Sequence, residues 1–203
     1  KSNIPMQAGC GSSSSIMVAW ISFLTQIADD VVYWDSEKIG RLAHSAEVVN
    51  FNEPGGSMDQ YSSAIGGLIY LQNKPVTSIE HLEPSLGTFI LGDSNEMKNT
   101  LSILSHCKKL RLEIVEMLEN KIPSFDLSKC HLDEIKSYLT QDEIFLMEGT
   151  LKNRDLLQEA LLALKEDGLD HARIGDLLVK EHEILRDVLN VSTTKIEKML
   201  SAA

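Results

Sequence analysis

Gly9, Gly11, Ser12, Ser13, Ser14 and Ser15 lie immediately before an apolar run, Ile16-Met17-Val18-Ala19-Trp20-Ile21-Ser22-Phe23-Leu24. A loop of this composition feeding a helix is suited to one chemistry. The first N–H groups of a helix have no internal partner and stand at the positive end of its dipole. Glycines let a ligand come close to the backbone, and serine hydroxyls add donors and oxygen ligands for magnesium. Such a place suits a phosphate. No Gly-Lys-Ser/Thr follows at Walker A spacing, and the third glycine of a dinucleotide fingerprint is missing. A Gly/Ser-rich linker has the same composition, but Pro5 before it and the apolar run after it argue against one.

A second cluster lies well downstream. Glu47 precedes Phe51-Asn52-Glu53-Pro54-Gly55-Gly56-Ser57-Met58-Asp59-Gln60-Tyr61. Pro54-Gly55-Gly56 is a turn signal, and Ser57 is suited to capping a short helix that carries Asp59. An acid at the mouth of a glycine-bounded turn, together with a phosphate loop, makes Asp59 a candidate for proton handling in phosphoryl transfer.

The combination resembles a known superfamily, that of galactokinase, homoserine kinase, mevalonate kinase and phosphomevalonate kinase. Residues 5–15 are similar to its phosphate loop, with Cys10 in place of the usual leucine and Ser14 and Ser15 in place of alanines. Pro54-Gly55-Gly56-Ser57-Met58-Asp59-Gln60 resembles the corresponding stretch of galactokinase-type sugar 1-kinases. Met-Asp-Gln is the more specific part, since mevalonate-type members read Asp-Asn there. His182-Glu183-Ile184-Leu185-Arg186-Asp187 and Val191-Ser192 resemble a third galactokinase stretch, in family order.

The resemblance implies ATP and Mg2+ as cofactors and a monosaccharide phosphorylated at its anomeric hydroxyl as the substrate. It also implies roles for particular residues. Asp59 matches the catalytic acid that takes the hydroxyl proton and contacts the sugar. Glu47, twelve residues earlier, matches the magnesium-binding glutamate, and Ser13 the serine that reaches magnesium or the β-phosphate. Gly9, Gly11, Ser12 and Ser14 match the phosphate cradle, and Gly56 a backbone contact to the sugar. Ser94, in Gly92-Asp93-Ser94-Asn95, resembles a further family stretch from which Asp93 departs. His182 and Arg186 read as structural. Other members of the superfamily, acting on arabinose, a uronic acid, a heptose phosphate or mevalonate, are the alternative, as is a catalytically silent sugar-binding regulator.

Elements that would position these residues follow from periodicity. Helices are expected from Ser12 to about Ala28 (buried), Asp35 to about Val49, from Ser57, over 96–119, from Thr140 to Lys165 with room for a break near Gly149, from Asp170 to Leu189 and from Ser192 to Ala203. Residues 67–71 and 88–91 read as buried strands. The fold class is α+β, GHMP-kinase-like and helix-rich with a truncated mixed sheet. A composition shift near Lys121-Ile122-Pro123 divides it into 1–122, the remainder of an ATP- and sugar-binding domain with its phosphate loop at 5–15 and catalytic loop at 53–61, and 123–203, a helical part of the C-terminal domain. By the resemblance, the chain is a central fragment lacking the sugar-positioning N-terminal section and the last glycine-rich motif. It is expected to be inactive alone and to leave sheet edges through which a homo-oligomer could form.

Composition restricts the partners. The chain has 203 residues, 43% hydrophobic and 24% charged, with a net charge of −11. That charge disfavours nucleic acid and anionic membrane. Cys10, Cys107 and Cys130 are widely spaced and odd in number, as in reduced cytoplasmic proteins rather than a disulfide frame. The histidines show no metal-ligand spacing, so no metal beyond nucleotide-bound magnesium is expected.

Overall fold

The computed structural model describes residues 2–6, 8–29, 33–53, 55–73, 76–96 and 100–202, without the side chains of 100–107. Pro54 and the side chains of His106 and Cys107 therefore lie outside the described residues. The chain divides into two compact units, Lys1–Glu83 with Asn95–Leu104, and Pro84–Ser94 with Ser105–Ala203.

The first unit opens with α1 (Ser12–Ile27) and α2 (Ser36–His44). Asp35 caps α2, its carboxylate accepting the Lys38 N–H at 2.7 Å, and Glu37 and Arg41 sit at the ends the helix dipole favours. The helix then widens into a π-type turn over Ser45–Val49, so the expected helix to Val49 forms with a local change of pitch that contains Glu47. α3 (Met58–Ile65) packs across α2 at Gly40, where a Cβ would lie 3.2 Å from the backbone of Tyr61. Ala43, fully buried, sits one turn further along α2. β1 (Leu68–Gln72) and β2 (Ser78–Leu82) follow as an antiparallel pair with Tyr70 opposite Glu80.

The second unit is helical. α4 (Thr100–Lys121) enters it, followed by α5 (Leu132–Ile135) with a 3-10 turn, α6 (Gln141–Lys165), α7 (His171–Asp187) and α8 (Thr194–Leu200). Ile114, Leu118, Cys130, Ile135, Met147 and Leu151 form its core. Thr140 and Glu143 make the expected capping box at the start of α6. Asp170 and Thr193 cap α7 and α8. α6 does not break at Gly149. There a Cβ would meet Val188 Cγ1 at 2.8 Å, so the glycine serves a close approach to the end of α7. His182 Nε2 meets Glu197 Oε1 at 2.8 Å and Arg186 reaches Glu197 Oε2 at 3.4 Å, tying α7 to α8. Burial in the core pushes the Cys130 thiol above its ordinary range.

Several expectations need correction. α1 buries only Ser14 and Val18; Ile16, Trp20, Phe23, Leu24 and Ile27 are exposed. Its run is apolar on every side, and the short helices α2 and α3 can cover only one. Residues 88–91 form no strand, because no backbone among the described residues pairs with them, and Ile90 is 95% exposed. Among the described residues the sheet is thus a single antiparallel hairpin rather than part of a mixed sheet. The α+β class holds with the sheet reduced to that pair. Ser57 stands at the N-cap of α3, but its hydroxyl makes no capping bond and donates instead to Asn73 Oδ1 at 3.2 Å. α5 and β2 carried too short a pattern to be expected.

Candidate active site

The Gly/Ser loop turns into α1 through two left-handed residues, Gly9 at φ +75° and Gly11 at φ +64°. Gly11 is the N-cap of α1 and offers no side chain to its first N–H groups, which leaves them available to an anion. The Gly11 carbonyl accepts both the backbone N–H and the hydroxyl of Ser15, each at 2.9 Å. Ser15 Oγ also lies 3.1 Å from Ser63 Oγ, linking the loop end to α3. Ser12 is half-buried and Ser13 exposed, and Ser14 points inward.

Glu47 is drawn to this helix start from the π-type turn. Ser14 Oγ donates to Glu47 Oε2 at 2.8 Å. Gln60 Nε2 donates to the same oxygen at 2.7 Å and to Ser14 Oγ at 3.1 Å. Burial would raise the Glu47 carboxyl above its ordinary value. Hydrogen bonds from Ser13, Gln60 and Ser14, and the nearby His44, together outweigh it and hold the carboxyl below that value.

Asp59 occupies the first turn of α3, exposed, with its carboxyl beside the Gly/Ser loop. A Cβ on Gly11 would lie 3.6–3.7 Å from Asp59 Cβ, Cγ and Oδ2. The acid and the Gly/Ser loop are therefore neighbours in space although 48 residues apart in sequence.

Of the expected site residues, Ser13, Ser14 and Glu47 are joined by hydrogen bonds, and Asp59 stands close to Gly11. Gly56 is exposed with open space where a Cβ would stand, and Gly55 packs on Val48. Ser94 belongs to the other unit. Gln60 had no role assigned from sequence. Its position beside Asp59 in Met58-Asp59-Gln60 was visible, but nothing in a linear pattern shows that consecutive residues of a helix start face opposite ways, one to solvent and one into the interior.

Residues 1–67 match the family described as the GHMP kinases N terminal domain. Over these residues the chain is similar to the GHMP kinases. A mevalonate kinase of Thermococcus gammatolerans is 26% identical over 202 residues, covering 100% of this chain and 51% of the relative. A galactokinase of Thermotoga petrophila is 31% identical over 204 residues, covering 94% of this chain and 53% of the relative. Human galactokinase is 25% identical over 219 residues, covering 100% and 52%. The chain spans about half the length of these relatives.

Kinases of the GHMP family use ATP, generally with Mg2+, and the residues present fit that pair. Magnesium in nucleotide sites takes few protein oxygens and completes its shell with phosphates and water. One carboxylate with adjacent hydroxyls meets this need without a cluster of protein ligands. A glycine loop at left-handed φ, with no Cβ in the way, leaves the start of α1 open to the phosphates. No helix among the described residues is long and apolar enough to cross a membrane.

Proposed function

We propose that this chain carries the phosphate loop and catalytic acid of an ATP-dependent small-molecule kinase that phosphorylates a monosaccharide at its anomeric hydroxyl, as a galactokinase does. The observation that supports the reading is the position of the Asp59 carboxyl beside Gly11, 3.6–3.7 Å from where a Cβ on that glycine would stand. It brings a proton acceptor to the edge of a loop suited to a triphosphate. In this reading Gly9, Gly11, Ser12 and Ser14 cradle the phosphates, Ser13 and Glu47 hold magnesium, and Asp59 accepts the proton of the attacking hydroxyl. The hydroxyl oxygen bonds to the γ-phosphorus as the bond to the β-γ bridging oxygen breaks, and ADP leaves. Magnesium supplies charge neutralisation at the phosphates. The protein's part is alignment and a fixed electrostatic setting, the main contributions available in phosphoryl transfer.

Met58-Asp59-Gln60 favours a sugar, and Gly56 beside it is open to a backbone contact. Mevalonate is the second reading, favoured by the relative named a mevalonate kinase that aligns with the whole of this chain. The acidic chain, at −11, supports small-molecule partners over polyanions, and three cysteines without disulfide spacing fit the cytoplasm. The deciding experiment presents full-length protein, with ATP and Mg2+, to a panel of galactose, arabinose, glucuronate, a heptose phosphate and mevalonate, scored by ADP release. Galactose-dependent release supports the first reading, mevalonate-dependent release replaces it with the second, and binding of sugar without any ADP release makes the protein a silent regulator.

A further inference from the structure

We propose that Gln60 is a positioning residue that fixes the Glu47 carboxylate for magnesium, an inference that rests on the metal role read for Glu47 above. Gln60 is 2% exposed, directly beside the exposed Asp59. Its side chain spans to two other segments. Nε2 donates to Glu47 Oε2 on the π-type turn at 2.7 Å and to Ser14 Oγ at the start of α1 at 3.1 Å. The Ser14 hydroxyl proton is committed to Glu47 Oε2, so the Ser14 oxygen accepts from Gln60. The donors of this triangle thus have one consistent arrangement.

The orientation of the amide follows from charge. With the amide turned over, its carbonyl oxygen would face the Glu47 carboxylate, acceptor against acceptor. In the arrangement present, Gln60 Oε1 is buried with no hydrogen-bond partner among the described residues. A buried acceptor without a donor is destabilising. A side chain needed only to fill this space would be met better by methionine, which has the same length and no polar atoms to satisfy. The amide is accounted for by what its N–H does, which is to hold one carboxylate oxygen while the carboxylate remains a ligand. Partners that orient a metal ligand in this way commonly matter to metal affinity tenfold or more. Gln60 also follows Asp59 on the same helix turn, so the oxygen that it holds is fixed relative to the acid. Reach is specific as well. Asparagine is one methylene shorter and would leave the Glu47 contact, now 2.7 Å, beyond hydrogen-bond distance.

The test uses the full-length protein and its Gln60→Met, Gln60→Asn and Glu47→Gln variants. Mn2+ binding in the presence of ATP is read by electron paramagnetic resonance. Binding of a fluorescent ATP analogue without metal, and the thermal midpoint, are read alongside. Gln60→Met is expected to fold with a midpoint little changed, the lost hydrogen bonds to Glu47 and Ser14 being offset by removal of the unpaired acceptor. Its Mn2+ affinity in the presence of ATP is expected to fall about tenfold, while metal-free nucleotide binding stays within about twofold. Gln60→Asn carries the same expectation should the methionine variant fail to fold. Unchanged metal affinity in the Gln60 variants, with Glu47→Gln impaired, overturns the role of Gln60 alone. An equal fall in metal-free nucleotide binding makes the residue merely structural and overturns it too. Unchanged metal affinity in Glu47→Gln removes the metal role of Glu47, and this proposal with it.

Discussion

Gly11 is the position at which two independent features of the site can be separated by substitution. Its φ of +64° is left-handed, where an L side chain is strained by about 1–2 kcal/mol. Replacing glycine also restricts the unfolded chain, which returns about 0.4–1 kcal/mol. A Cβ at Gly11 would sit 3.6–3.7 Å from the Asp59 carboxyl, an ordinary contact and not a clash. Gly11→Ala is therefore expected to lose about 1 kcal/mol of stability from backbone strain, with Asp59 barely displaced. Gly11→Asn reverses the balance. Asparagine tolerates left-handed φ better than alanine, so its stability loss should be the smaller. Its amide, however, must extend beyond a Cβ that already touches Asp59, and displacing a catalytic group by about 1 Å can cost about a hundredfold in rate. The two properties are thus expected in opposite order, with stability falling as Gly, Asn, Ala and turnover falling as Gly, Ala, Asn. Urea denaturation of the full-length variants gives the first order, and ADP release with saturating ATP and sugar gives the second. Alanine as stable as glycine would refute the left-handed loop. Asparagine turning over as fast as alanine would refute the close approach of Asp59 to Gly11.

Other expectations bear on single groups. Asp59→Asn should lower turnover by about a hundredfold, the size of a general-base contribution, with nucleotide affinity little changed in an equilibrium titration; near-wild-type turnover would remove Asp59 from the chemistry. Glu47→Gln should raise the Mg2+ concentration giving half activity, and Ser13→Ala should raise it less, whereas an unchanged Mg2+ titration for Glu47→Gln would return that residue to an ordinary helix acid. Glu47 also makes stability depend on pH. Its folded carboxyl lies below its ordinary value, so its contribution is complete above the unfolded value, about 4.3, and is lost as pH falls through the folded one. The stability gap between wild type and Glu47→Gln in chemical denaturation should accordingly narrow below about pH 4.3, and a gap that widens there would contradict the hydrogen-bonded arrangement.

Local signals were legible in the sequence where they depended on few residues. The helix starts at Thr140, Asp170 and Asp35 follow from side chains that can reach an N–H two or three positions on, and each makes that bond. The turn into α1 was legible for a similar reason, since Gly9 and Gly11 stand where the backbone turns through positive φ. What depended on distant partners was not legible. Phe89-Ile90-Leu91 has the composition of a strand, but a strand exists only by pairing, and nothing among the described residues pairs with it. The run from Ile16 to Leu24 is apolar enough to be buried all round, but burial depends on what lies opposite, and α2 and α3 are nine and eight residues long. Gly149 read as a weak point in α6 because glycine lowers helix propensity. Its actual reason, the Val188 side chain lying where a Cβ would be, comes from a residue 39 positions away.

Glu47 and Gln60 show why the site itself was half-legible. Thirteen residues separate them, and no pattern of period 2 or 3.6 joins a π-type turn to the first turn of another helix. The turn matters because its wider pitch shifts the direction of each side chain within it relative to a regular helix, and Glu47 lies inside it. The buried centre of this unit is correspondingly polar. Ser14, Ser57 and Gln60 are buried there beside Val18, Ala43, Val48 and Tyr61. Apolar side chains can exchange places at modest cost if volume is kept, whereas a donor–acceptor triangle admits one arrangement and makes every member depend on the others. The first unit therefore gains from these residues a fixed relation among loop, acid and carboxylate, at the expense of the apolar burial that would otherwise stabilise it. Substitutions in the triangle should consequently change metal affinity out of proportion to their effect on folding, and substitutions at Ala43 or Val18 the reverse.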